Sequence, residues 1–203
     1  MNKLATVKSL SLAAVAALSM SVGLTAQAQT LEPVSPPLGV YVGGTAGIGL
    51  TNFLCDGSCS PHAFAGKIFG GKRLTPGLAA EVNYLMFGQM ERGNDAATSK
   101  ARGFSAEKRR VNALTLGINW EVELIQDFTN QIRVGWAFMD QKNKVTGLDG
   151  VERRADRRLN APYVGAGIGF RLNRTVKLLS AVDFVVDGHD SLYLFGVGAM
   201  VEF

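Results

Sequence analysis

From residue 39 onward, large apolar side chains recur at every second position, in segments separated by polar or glycine-bearing stretches. In 110–122 the even positions are Leu114, Leu116, Ile118, Trp120 and Val122, set against Ala113, Thr115, Gly117, Asn119 and Glu121. In 130–140 Ile132, Val134, Trp136 and Phe138 alternate with Gln131, Arg133, Gly135 and Ala137. In 160–172 Val164, Ala166, Ile168, Phe170 and Leu172 alternate with Gly165, Gly167, Gly169 and Arg171. A period of two places each set on one face of a β-sheet. Here one face is large and apolar, the other small or polar. Tyr41 and Phe69 break the rule by taking the polar parity.

Eight segments have strand length: 39–50, 63–74, 78–88, 110–122, 130–140, 160–172, 176–187 and 191–203. Short connections at Thr75-Pro76-Gly77 and Asn173-Arg174-Thr175 contrast with long polar stretches at 51–62, 89–109 and 141–159. Strands with apolar outer faces, joined alternately by tight turns and long loops, predict an all-β fold. Its form is an eight-stranded antiparallel transmembrane up-and-down barrel. A water-soluble barrel would place its large apolar residues inside. Trp120, Trp136, Tyr84 and Tyr193 fall on the outward parity near strand ends, as interfacial girdles require. No stretch after the leader approaches the ~18 apolar residues of a spanning helix.

The first residues differ in kind. Lys3 and Lys8 precede the short apolar run Leu10–Leu18, and Ala26-Gln27-Ala28 supplies small residues for cleavage. That order predicts a secretory signal peptide over 1–28. A proline-containing periplasmic leader follows over 29–37, then the barrel domain over 38–203. Removing Lys3 and Lys8 leaves 19 basic residues against 17 acidic, so no nucleic-acid partner is expected. Cys55 and Cys59 are four residues apart in a chain bound for an oxidising compartment, and a disulfide is expected. Neither cofactor nor metal is implied.

The last segment, Tyr193 to Phe203, places Tyr193, Phe195, Val197, Ala199, Val201 and Phe203 on one face. An alternating strand with a terminal Phe resembles the signal read by the barrel assembly machinery. With Gly39–Gly49, Leu78–Tyr84 and Pro162–Leu172, the chain resembles the OmpA-like and OmpX-like small outer-membrane barrel superfamily over most of 38–203. The resemblance implies the bacterial outer membrane as location. It also implies periplasmic chaperones and the assembly machinery as partners during biogenesis, and outer-membrane lipids and lipopolysaccharide afterwards. Members include tethers, adhesins, host-factor binders and one lipid A deacylase type, so the task is less specified than the fold.

Candidate chemistry is of three kinds. Charges on the inward parity are Lys67, Arg73, Arg133, Arg171 and Lys177 against Glu81, Glu121, Asp183 and Glu202. They are expected to pair with one another in the narrow lumen, with Arg133, Arg171, Lys177, Glu81, Glu121 and Glu202 toward the turn-side ends of their strands and inward glycines making room. The outer loops carry Arg92, Lys100, Arg102, Lys108 and Arg109, then Lys142, Lys144, Arg153, Arg154, Arg157 and Arg158. Such groups suit lipopolysaccharide phosphates or an extracellular ligand or host surface. His189 and Ser191 resemble the His-x-Ser of PagL-type deacylases, but Glu202 has the wrong parity to complete a triad. The expectation is a non-enzymatic structural or interaction barrel. A PagL-type deacylase and a small-solute channel stay open as alternatives.

Overall fold

The computed structural model describes residues 39–52, 59–187 and 190–203. The expected signal peptide and leader lie outside them, as do Cys55 and His189. The described chain forms β1 (Val40–Thr51), β2 (Cys59–Ser60), β3 (His62–Thr75), β4 (Leu78–Gly93), α1 (Ala96–Arg102), β5 (Phe104–Ile125), β6 (Phe128–Gly147), β7 (Glu152–Arg171), β8 (Val176–Asp187) and β9 (Asp190–Glu202). Each of the eight long strands pairs antiparallel with its neighbour, and β9 returns to pair with β1. The sheet closes on itself, so the barrel leaves no open edge where its strands meet lipid.

The alternation sorts residues as the period of two requires. Leu114, Leu116, Ile118 and Trp120 are exposed on the outside of β5, whereas Ala113, Thr115 and Asn119 are buried inside. Tyr41 and Phe69 do point inward and are buried, at 1 % and 5 % exposure. Their rings meet edge to face at 6.3 Å. What looked irregular in the sequence is packing inside the lumen.

Strand length departs from expectation. β4 runs to Gly93 instead of 88, β5 begins at Phe104 instead of 110, β6 runs to Gly147 instead of 140, and β7 begins at Glu152 instead of 160. The stretches 89–109 and 141–159 are therefore mostly paired strand, not loop. Arg92 lies on β4, Arg153, Arg154, Arg157 and Arg158 lie on β7, and Lys100 and Arg102 lie on α1. Hydrophobic alternation marks a strand only while one face meets lipid. Beyond that belt both faces meet water and the pattern fades, yet the ladder continues in register through Lys108↔Lys144 and Lys144↔Arg154.

The lumen is filled, and not only by glycine and charge. A buried apolar cluster includes Leu85, Phe87, Met90, Val111, Met139, Tyr163, Val185, Leu192 and Leu194. A smaller one holds Tyr41, Phe69, Ala79, Leu179 and Met200. Glycines accommodate this filling in two ways. A Cβ on Gly165 would come within 2.7 Å of the Asp183 carboxylate and 3.0 Å of the Tyr163 hydroxyl, so that glycine makes room for polar side chains. At the paired Gly117 and Gly135 a Cβ would strike backbone, at 2.2 Å from the Val134 carbonyl and 2.3 Å from the Leu116 carbonyl. Those two let β5 and β6 approach closely; they do not hold space for charges.

Candidate functional site

Following each strand from its turn end to its loop end gives five levels of side chains inside the barrel. At the turn end Arg73 donates to Glu202 at 2.9 Å and to Glu121 at 3.2 Å, and Lys177 pairs with the same Glu121. Gln131 adds a bond to Glu121 at 3.3 Å. Above this lies the smaller apolar cluster, led by Tyr41 and Phe69. The third level is ionic again: Lys67 pairs with Asp183 at 2.6 Å and Arg133 with Glu81 at 3.1 Å. Tyr41 and Asn119 donate to Glu81 at 2.7 and 3.0 Å, and Tyr163 donates to Asp183. The larger apolar cluster is the fourth level. At the loop end Arg92 pairs with Glu107 at 2.6 Å, and Arg109 approaches the same carboxylate at 3.5 Å.

The expected network is thus two ionic clusters, one at the turn end and one deeper, joined through Gln131, which accepts from Arg133 and donates to Glu121 at 3.3 Å. Each balances two cations against two carboxylates, which is the condition under which buried charges are tolerated. Glu81 and Arg133 belong to the deeper one, not to the turn end. Arg171 joins neither: it faces Glu123 at 3.8 Å on the exposed rim. Tyr41, Tyr163, Asn119 and Gln131 are network members that charge counting missed. Their signal was present as polar residues on the inward parity.

The second arrangement lies outside the wall. Above the apolar belt, β4 to β7 continue as a projecting sheet whose outer face carries Lys108, Arg110, Lys142, Lys144 and Arg154. With Gln89 these five line a groove of about 200 Å³ that no carboxylate lines. Cross-strand register opposes like charges directly: Arg110↔Lys142, Lys108↔Lys144 and Lys144↔Arg154. Acids flank the groove, Glu91 at 3.3 Å from Lys108, Asp156 at 3.6 Å from Arg154 and Glu152 at 3.8 Å from Lys144. Among the described residues the Arg110 side chain donates to Gln89 at 3.4 Å and has no ion-pair partner, and Lys142 has none either. Arg110 itself escaped the sequence reading, because it stood at the boundary of an expected strand.

The other expected site residues are placed as follows. Lys100 and Arg102 sit in the last turn of α1, whose N-terminus is capped by the Asp95 carboxylate at 2.7 Å from the Thr98 amide. That bond holds Asp95 below the usual carboxylate range. Arg153 is exposed and pairs with Asp149 at 3.1 Å. Cys59 aligns with Arg92, and the described residues include no free cysteine. Ser191 lies at the loop end of β9 while Glu202 is at its turn end, bound to Arg73; the strand separates them. Val201 is half-buried on β9, Tyr193 stacks on Phe184 at 4.7 Å, and Phe203 is exposed with its amide bonded to the Val40 carbonyl at 2.9 Å.

Known proteins match this architecture. Ail, the attachment invasion locus protein of Yersinia pestis, superposes with a TM-score of 0.53 at 9% identity, covering 82% of this chain and 99% of Ail. Neisserial surface protein A gives 0.54 at 14% identity over 81% of this chain and 97% of its own. A major outer membrane protein of Thermus thermophilus gives 0.53 at 13% identity over 83% and 100%. No curated protein sequence matches. The family described as "Outer membrane protein beta-barrel domain" matches residues 12–203. The chain therefore belongs to that family, and its place is the bacterial outer membrane.

Proposed function

We propose that this is a non-enzymatic outer-membrane protein that binds the phosphates of lipopolysaccharide on the outer wall of its projecting sheet. The observation behind this reading is the acid-free groove around Arg110 and Lys142. Arg110 lies four residues beyond Leu114 on β5. At about 3.3 Å per residue and a strand tilt of about 40°, it stands roughly 10 Å above the last apolar side chain, near headgroup depth. Each directly opposed like-charge pair costs up to about 1 kcal/mol in solvent. A phosphate seated between them turns that repulsion into attraction, and arginine suits its oxygens especially well.

The test compares the folded wild-type protein with an Arg110→Gln/Lys142→Gln variant for binding to lipid A bearing both phosphates or neither. The wild type should prefer phosphorylated lipid A by roughly tenfold, and that preference should disappear in the variant and in high salt. Equal binding by both proteins would contradict the proposal. Preference for a sulfated glycan over lipid A would instead shift the ligand to an external one, the class held in an Ail structure with a heparin analogue.

Three further proposals concern maturation. The leader is removed after Ala28, Cys55 and Cys59 form a small ring, and Phe203 with Val201 and Tyr193 presents an edge to the assembly machinery. Intact mass, thiol labelling of the unreduced unfolded chain, and the fraction left in the periplasm on deleting Phe203 test them in turn. An intact Met1, stoichiometric labelling, or unchanged insertion would refute each respectively.

A further inference from the structure

The lipid-facing wall is not evenly filled. Along β8 the outward residues include Leu178, Ser180 and Val182, and along β9 Phe195, Val197 and Ala199. Ser180 and Ala199 are small where their neighbours are large, and the wall sinks there. One hollow, of about 680 Å³, is walled by Ile168, Phe170, Leu178 and Val197 over Ser180 and Ala199. A second, of about 270 Å³, continues past Val182 and Phe195 to Ala46 and Ile48 on β1. Ser180 and Val197 line both, so the two form one groove, and Ser180 is its only polar residue. From Ala199 to Phe195 the groove follows β9 for roughly 13 Å, at about 3.3 Å per residue. That is close to the hydrocarbon depth of one leaflet, half of a core about 30 Å thick.

The turn joining β7 to β8 lies just beyond the lower end of this groove. Phe170 pairs with Leu178 across the two strands, and Arg174 is four residues from each. At about 3.3 Å per residue and a strand tilt of about 40°, Arg174 stands roughly 10 Å beyond that pair, at headgroup depth. The turn is fixed by Asn173, whose side-chain oxygen accepts from the Thr175 amide at 2.8 Å and the Val176 amide at 2.7 Å. Arg174 is exposed and has no ion-pair partner among the described residues. The carboxylates that share the turn-end mouth with it are engaged elsewhere. Glu121 and Glu202 are held by Arg73 and Lys177, and Glu123 faces Arg171 at 3.8 Å.

We propose that the groove and Arg174 together bind one phospholipid, with an acyl chain lying along the groove and the phosphate at Arg174. An apolar hollow left empty forfeits the dispersion contacts of its lining, and a flexible hydrocarbon chain restores them. The guanidinium fork suits phosphate oxygens, and here it has no competing carboxylate to displace. A second copy of this chain is the poorer occupant. All copies insert in one sense, so two walls meeting at this groove would bring both Arg174 side chains to the same depth with no acid between them. The proposal shares with the preceding one only the orientation that puts the turn end in the phospholipid leaflet. It uses none of the residues around Arg110 and Lys142.

The experiment uses the folded full chain in detergent, with native mass spectrometry counting the lipids it retains. Wild type should keep one dipalmitoyl phosphatidylglycerol after free lipid is removed. It should bind that lipid roughly tenfold more tightly than dipalmitoylglycerol, which lacks the phosphate. Ser180→Phe fills the groove from the lipid side and should lose the retained lipid. Arg174→Gln should weaken binding by roughly tenfold and abolish the preference for phosphate. Leu116→Phe, on the lipid-facing wall of β5, and Arg110→Gln/Lys142→Gln should both retain the lipid as wild type does, which separates this site from the basic groove. Gel migration before and after boiling checks folding, and Arg174→Gln, in an exposed turn, tests the site even if Ser180→Phe does not fold. No retained phospholipid, equal affinity for the two lipids, full retention by folded Ser180→Phe, or a lipid-free dimer in place of a lipid-bound monomer would each overturn the proposal.

Discussion

Glu81 accepts bonds from Tyr41 and Asn119 and neutralises Arg133, all in a fully enclosed level of the lumen. Its replacement by Ala should strand the Arg133 cation, at a cost of about 3–5 kcal/mol, whereas Lys72→Ala on the exposed face should stay within about 0.5 kcal/mol. Urea unfolding in detergent measures both; equal midpoints would show that the lumen pairing contributes nothing. The membership of this level was legible in part. Parity alone told which charges face inward. It could not tell that Lys67 reaches Asp183 across 116 residues of sequence, because the level at which distant strands meet is set by barrel stagger. Nor could it interpret Tyr41 and Phe69, whose inward parity makes sense only once an apolar level between two ionic ones is seen.

At the scale of the strands, the lipid-facing halves were readable and the projecting halves were not. Leu114 to Val122 advertise β5 by alternation, but Ser105 to Arg110 carry polar or small residues on both faces. Their strand character comes from continued pairing with β4 and β6. That misreading moved most of the basic residues from loops onto a rigid sheet, which fixes their spacing and gives the outer wall its acid-free groove. Close approach of the strands is itself testable. Gly117→Val places atoms against the Val134 carbonyl and should destabilise the barrel by about 1–3 kcal/mol. Gly70→Ala, whose added Cβ would find its nearest neighbour at 3.6 Å, should be nearly neutral. Equal effects of the two would mean that the β5–β6 contact is looser than the geometry implies.

For the whole molecule, the five alternating levels make the lumen a core turned partly polar. Eight strands enclose a space that side chains can fill, and here buried apolar side chains and paired charges share it. With the interior occupied, the proposed binding falls to the basic outer face of the projecting sheet. Planar-bilayer recording of the purified, folded protein tests this division of labour most directly. A packed lumen predicts no stable open state at any applied voltage the bilayer tolerates, and none on replacing the outward Arg110 or Lys142. Reproducible unitary conductance from the wild-type protein, altered by substitutions at Arg133 or Asp183, would contradict it.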